Sequence, residues 1–185
     1  ARAVLDDIGA DVIKTGMLAR AETVQAIAGL IAQAGVPAVV DPVMIAKGGA
    51  SLLEDRAVAA LRADLVPRAA LLTPNAPEAE ALTGIAVTSE DGQRRAGHAL
   101  LALGAKAVLV KGGHVEGPTV VDLLLTPDGE HRYENPRLPG RHTHGTGCTL
   151  ASACAVGLAQ GMSLPDAVAR ARAYVLEAIR HAQGL

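Results

Sequence analysis

A chain of 185 residues with 50% hydrophobic content can bury one substantial core, and it reads as one domain. A formal charge of −2 argues against a nucleic-acid or anionic-membrane surface driven by bulk charge. With aromatics at 1% and no Phe or Trp, only Tyr133 and Tyr174 are left as stacking platforms. No apolar run approaches the roughly 20 residues of a membrane span and no signal peptide is visible, so the expectation is a soluble cytoplasmic protein without nucleic-acid or membrane partners.

Residues 1–8 read as the end of a helix, and the chain starts at Ala1 without an initiator Met. The run 11–14 is a strand that stops at Thr15-Gly16-Met17-Leu18. Val24, Ile27, Ala28 and Ile31 then follow the i, i+3, i+4, i+7 pattern of an amphipathic helix, closed by Gly35. A second strand, 37–40, ends in Asp41-Pro42-Val43-Met44, and a loop with Lys47-Gly48-Gly49 leads to a helix over 54–65. A third strand, 69–72, closes on Thr73-Pro74-Asn75, and helices follow near 77–82 and 89–103. The fourth strand, 107–110, ends in Lys111-Gly112-Gly113-His114.

The pattern then changes. Residues 120–125 and 131–134 flank Thr126-Pro127-Asp128-Gly129, a turn that predicts an antiparallel hairpin at a sheet edge. Two helices finish the chain; the second starts at Ser163-Leu164-Pro165-Asp166 like a capping box and is expected to bury Val168, Ala171, Val175 and Ile179. Strands alternating with helices predict an α/β fold with a mostly parallel sheet and helices on its faces.

The segment His142-Thr143-His144-Gly145-Thr146-Gly147-Cys148-Thr149 carries the chemistry. Gly145 and Gly147 around Thr146 let successive N–H groups turn toward one point, and the helix that follows adds unpaired donors and a positive dipole end. Together they form a cradle for an anion, most plausibly a phosphate. Cys148 sits at its mouth, where the dipole lowers a thiol's pKa and a bound phosphate raises it. Cys148 and Cys154 are six positions apart on one helix, roughly 9 Å along its axis, beyond the about 7 Å between Cα atoms that a disulfide tolerates. His142, His144 and Cys148 are zinc-ligand types, but no fourth ligand stands out.

Met17, Asp41, Asn75 and Lys111 each follow a predicted parallel strand. Ligand crevices of open α/β sheets lie beyond the carboxyl ends of the strands, so these residues are expected to face one cleft with the Gly145–Cys148 cradle. Lys111, ahead of two glycines, is a phosphate-binding candidate, and Asp41 a position for magnesium or phosphate-bound water. Asn75 and Glu78 fit two readings equally on spacing: an N-cap with its capping-box partner, or an amide and a carboxylate beside hydrated magnesium.

In combination these motifs resemble the hydroxymethylpyrimidine/phosphomethylpyrimidine kinases of thiamine synthesis, members of the ribokinase-like superfamily. The resemblance rests on Asp11-Val12-Ile13-Lys14-Thr15-Gly16-Met17-Leu18, Asp41-Pro42-Val43-Met44, Thr73-Pro74-Asn75-Ala76-Pro77-Glu78, Lys111-Gly112-Gly113-His114 and His144-Gly145-Thr146-Gly147-Cys148-Thr149. It implies a three-layer ribokinase-like fold and an enzyme that uses ATP and Mg²⁺ to phosphorylate a small pyrimidine alcohol, then its monophosphate. By motif position, Gly145, Thr146, Gly147 and Cys148 would form the anion hole, with Cys148 standing where many relatives outside this branch carry an Asp base. Lys111 would neutralise ATP phosphates, Asn75, Glu78 and Asp41 would serve the metal–phosphate cluster, and Met17 and Val43 would line the pyrimidine pocket. Relatives of this family commonly form homodimers; the residues themselves leave oligomeric state open. The resemblance also implies that the family's N-terminal part, with a first strand and much of the acceptor pocket, is not in this chain. Pyridoxal kinase is the rival enzyme reading, and a truncated nucleotide- or pyrimidine-binding module the rival from another class.

Overall fold

The computed structural model describes residues 1–44, 55–138 and 144–182. The Lys47-Gly48-Gly49 loop, the start of the helix expected from Glu54, and His142 lie outside the described residues. The elements run α1 (Arg2–Asp7), β1 (Ile13–Thr15), α2 (Ala21–Ala34), β2 (Ala38–Val40), α3 (Asp55–Ala60), β3 (Leu71–Leu72), α4 (Ala76–Thr83), α5 (Glu90–Ala102), β4 (Val108–Val110), β5 (Thr119–Thr126), β6 (Gly129–Pro136), α6 (Thr146–Ala159) and α7 (Leu164–Arg180). They form one six-stranded sheet in the order β1-β2-β3-β4-β5-β6. The first four strands are parallel, and β5 and β6 are antiparallel additions at one edge.

Sequential order has a consequence for the helices. Crossovers between parallel strands are right-handed, so a sheet that always advances in one direction sends its connecting helices to one face. Val24, Ala28 and Ile31 of α2, Ala57 of α3, Leu82 of α4 and Leu100 of α5 accordingly share a core with Val40, Leu72, Val108 and Val110. The opposite face, with Val39, Leu71 and Leu109, is left to α6 and α7, which supply Leu150, Ala151, Cys154, Val168 and Ala171. The sheet is thus covered on both faces, as the alternation of elements predicts. Every one of its parallel strands is short, two or three residues; β2, β3 and β4 are fully buried, while the edge strand β1 is only partly so.

Several local expectations shift. The helix expected over 54–65 is an α-turn over Asp55–Ala60 that widens to a π-turn over Leu61–Leu65, then a 3₁₀ turn over Val66–Arg68. The widening lies just ahead of Pro67, which has no N–H with which to continue the ladder. In α7, Ala167, Val168 and Ala171 are buried, whereas Val175 and Ile179 are only half-buried. Ser163 caps that helix by accepting from the Asp166 N–H, but its hydroxyl turns back to the Asp166 carboxylate, so the capping box is not reciprocal. Cys148 and Cys154 are both free thiols.

The hairpin edge is tied to α7 by a polar chain. The Gly112 N–H donates to Asp122 Oδ1 at 2.8 Å, and Asp122 Oδ2 accepts from Arg172 Nε at 2.7 Å. Arg172 lies 5.3 Å from the centroid of the Tyr133 ring, and Tyr133 donates its hydroxyl to the Pro165 carbonyl at 3.1 Å. The buried Gln93 amide donates to the Val110 and Val121 carbonyls, closing the gap where β4 and β5 part around Gly112. A Cβ at Gly112 would lie 1.9 Å from the Val121 carbonyl oxygen, whereas one at Gly113 would meet nothing within 4 Å. Gly112→Ala is therefore expected to cost about 3 kcal/mol or more of unfolding free energy in urea titrations, and Gly113→Ala less than about 0.5 kcal/mol.

Candidate active site

Alternation along the parallel strands decides what faces α6. Lys14 pairs in register with Val39, a residue of the α6-side core, and Asp41, Thr73 and Lys111 each stand two positions beyond a residue of that same face: Val39, Leu71 and Leu109. Four side chains from four adjacent strand ends are therefore presented to the start of α6. The sheet has no reversal of strand order among β1–β4, so the crevice is not at a switch point; it lies where α6 returns across the strand ends.

Asp41 is the hub. It is 1% exposed. Its Oδ1 accepts from Lys111 Nζ at 3.0 Å and from the Thr73 hydroxyl at 3.1 Å. Its Oδ2 lies 3.8 Å from Lys14 Nζ and has no hydrogen-bond partner. The Lys111 ammonium, 12% exposed, reaches on to α6, where it lies 3.1 Å from the place a Cβ of Gly147 would occupy. A side chain there would push the ammonium from the helix start. No side chain caps α6 at Gly145, so its first turn presents backbone N–H groups and a positive dipole end close to Lys111.

Asn75 bridges to Lys111 through the backbone and caps α4. Asn75 Oδ1 accepts from the Glu78 N–H at 2.9 Å, and Glu78 Oε2 accepts from the Asn75 N–H at 2.7 Å, the full capping box. The capping-box reading is the one the geometry shows, and the cap fixes the Glu78 carboxylate near Lys111 and Asp41. Burial pushes the Glu78 carboxyl above its usual range, Lys111 and the Asn75 N–H pull it down, and the Asp41 charge raises it again. Glu80, three positions along from Pro77, is exposed and faces away.

Cys148 is exposed as a residue, but its thiol faces Asp41. Burial of the sulfur, then the negative charge of Asp41, push the thiol above its ordinary 9.0, while Lys14 and Lys111 pull it down. The neutral thiol is favoured here, first by burial of the sulfur and then by the Asp41 carboxylate, neither of which is the dipole or phosphate effect expected from the sequence. Met17 is 53% exposed and Val43 half-buried, so neither walls off a closed pocket. Beside Cys148, α6 and α7 leave a groove of about 580 Å³ that runs past Ala153 and Val156 to Tyr174. Among the described residues, no group of three or more His, Cys, Asp and Glu side chains could hold a metal by itself, and no helix is long and apolar enough to cross a membrane.

Lys14 and Thr73 belong to this constellation although spacing did not single them out. The signal for Lys14 was a charged residue inside an apolar parallel-strand run, Val12-Ile13-Lys14, where such a residue needs a partner.

Known proteins with this sequence and shape agree in kind. The family described as phosphomethylpyrimidine kinase matches residues 1–185. The hydroxymethylpyrimidine/phosphomethylpyrimidine kinase of Streptomyces coelicolor is 51% identical over 178 residues, which cover 96% of this chain and 66% of that protein. The chain thus spans about two thirds of the length of that relative. Among solved structures, a phosphomethylpyrimidine kinase from Clostridium difficile is 38% identical with a TM-score of 0.84, covering 96% of this chain and 73% of the other. The pyridoxal kinase of Bacillus subtilis, solved as an ADP complex, is 32% identical with a TM-score of 0.92, covering 100% of this chain and 72% of the other.

The raised Glu78 carboxyl gives a sign to pH dependence. Its folded-state pKa exceeds the unfolded 4.5, so the stability linked to it is full below 4.5 and is lost as pH rises through the higher folded value. Glu78→Gln keeps an acceptor for the Asn75 N–H and cannot ionise. In metal-free buffer its melting temperature should therefore gain on the wild type as pH rises from 4 to 7, read by thermal scans (about 4 being the usual carboxylate value). A difference that stays flat over that range contradicts the burial argument.

Proposed function

The chain belongs to the phosphomethylpyrimidine kinase family, with the ribokinase-like fold of those kinases, and from that membership we propose that the protein transfers a phosphoryl group from ATP first to hydroxymethylpyrimidine and then to its monophosphate. Kinase membership carries ATP use with it. The observation that carries the proposal for this chain is the junction of Lys111, Gly147 and the start of α6 around buried Asp41. It gathers a cation, backbone donors and a dipole end where a transferring phosphoryl group develops charge, and phosphoryl transfer depends mainly on such positioning.

Charge counting supports a metal requirement. Lys14 and Lys111 face Asp41 and Glu78, so the four charged side chains cancel and leave no surplus to neutralise a triphosphate. Glu78, with Asp41 beside it, would hold the waters and phosphates of a magnesium ion; buried Asp41 Oδ2, without a hydrogen bond, is the donor an oxygen-seeking cation fits. What magnesium supplies when bound is neutralisation of phosphate charge.

In the first transfer the acceptor hydroxyl oxygen forms a bond to the terminal phosphorus, the bond from that phosphorus to the bridging oxygen breaks, and ADP leaves with the electron pair. The hydroxyl proton passes to Cys148 in the fraction of molecules whose thiol has first lost its proton to solvent. In the second transfer the acceptor is a phosphate monoester whose oxygen is already ionised at neutral pH (second pKa about 6), so no base is needed. Met17 and Val43 would stand beside the pyrimidine. Pyridoxal is the second reading, since the Bacillus subtilis pyridoxal kinase has the higher TM-score, 0.92 against 0.84, although its identity is lower, 32% against 38%.

With ATP and magnesium, the purified protein should turn over hydroxymethylpyrimidine and its monophosphate, followed by separate product assays; turnover of pyridoxal alone would sink the reading. Cys148→Ala should lower kcat for the alcohol by about 10²- to 10⁴-fold, the usual contribution of a positioned base, and lower kcat for the monophosphate by less than about tenfold. Equal losses on the two acceptors would remove Cys148 as the base.

A further inference from the structure

Lys14 is the charged residue of the site that neither the anion cradle nor the capping box accounts for. It projects from β1, at the sheet edge opposite the hairpin, onto the α6 face. Its side chain is 22% exposed, and its ammonium stands 3.8 Å from Asp41 Oδ2, within ion-pair range but beyond hydrogen-bond distance. An ammonium carries three donors, and no hydrogen bond from Lys14 occurs among the described residues. The facing oxygen is equally uncommitted: Asp41 is 1% exposed and its Oδ2 is without a hydrogen bond, while Oδ1 is taken by Lys111 and Thr73. The lysine is thus held by charge alone with its donors unspent.

The two lysines differ in what they lie against. Lys111 Nζ lies against Gly147 at the start of α6. Lys14 Nζ lies 3.4 Å from the place a Cβ of Gly16 would take, over the backbone that leads to Met17. Asp41 stands between them and is paired with both. Lys14 also acts on Cys148, whose thiol it pulls down ahead of Lys111, so its charge reaches the point where acceptor and transferred group meet. One cation therefore belongs to the donor side of the transfer and the other to the acceptor side.

Two acceptors of different charge pose a problem that one lysine does not solve. The alcohol is neutral, whereas the monoester brings roughly −1.5 to −2 charges toward an already anionic donor. We propose that Lys14 binds the phosphate of the monophosphorylated acceptor, and is the residue that lets one site accept the monoester after the alcohol. The proposal rests on the two-step reading above. Charge attraction to Asp41 parks the ammonium while the alcohol is bound; the monoester then takes the free donors, and Asp41 remains neutralised by Lys111.

The test separates the two acceptors. Lys14→Met and Lys14→Arg are purified with the wild type, and kcat/KM is measured for hydroxymethylpyrimidine and for its monophosphate, each with magnesium and ATP in excess. The expected result is a fall for the monophosphate in Lys14→Met that exceeds any fall for the alcohol by about 10- to 100-fold, the range of one charge-assisted hydrogen bond, with the intermediate accumulating. Lys14→Arg should recover most of the second step. Equal losses on both acceptors, or no loss on either, overturns the proposal. So does failure of both variants to fold, which would make Lys14 a structural residue. If the wild type turns over neither acceptor, the functional reading fails. Calorimetric affinity for the monophosphate then decides Lys14 separately: weaker binding in Lys14→Met but not in Lys14→Arg supports the assignment, and unchanged binding overturns it.

Discussion

A carboxylate with almost no contact with water has to be neutralised from inside the protein, and Asp41 is such a group. Its partners come from three other strand ends: Lys14 after Ile13, Thr73 after Leu72, and Lys111 after Val110. Removing a partner of a buried ion pair costs about 3–5 kcal/mol in general, so the arrangement is costly to distort. It fixes where Lys111 points, with its ammonium 3.1 Å from the place a Cβ of Gly147 in α6 would take. The start of the helix, the strand ends and the capping box at Asn75 are thereby set against one another by a single buried charge.

The same constraint explains the behaviour of the thiol. A helix start alone would lower the Cys148 pKa, but the sulfur is partly buried and faces the Asp41 charge, and both push it up. The neutral thiol is favoured. Glu78 carries the complementary tension: it is buried by its own cap yet held near another carboxylate.

Much of the fold was legible in the sequence because its signals are local. Gly35, the Asn75–Glu78 pair and the Thr126–Gly129 turn each carry their geometry within a few residues, and the helices and hairpin they bound stand where they were expected. Strand order is not local. Nothing in the residues states that β1 to β4 advance in one direction, and that order is what reserves one sheet face for α6 and α7. The site divides along the same line. Strand-end position singled out Asp41, Lys111 and Asn75, which the fold brings together, whereas the contacts of Lys14 and Thr73 with Asp41 follow from the register, which sets the face they share. Met17 was placed in a pocket by resemblance and lies mostly open here, because a wall needs neighbours that sequence spacing does not supply.

The claim on which the rest stands is that Asp41 organises a phosphoryl-transfer site and does not merely anchor a loop. Steady-state kinetics of Asp41→Asn, with the circular dichroism spectrum recorded alongside, test it most directly. The amide keeps an oxygen for Thr73 but gives up the charge that holds two lysines. The account predicts a folded protein whose phosphoryl transfer falls by at least about 100-fold, the scale of losing one preorganised electrostatic contact. A folded variant within a few-fold of the wild type would contradict it.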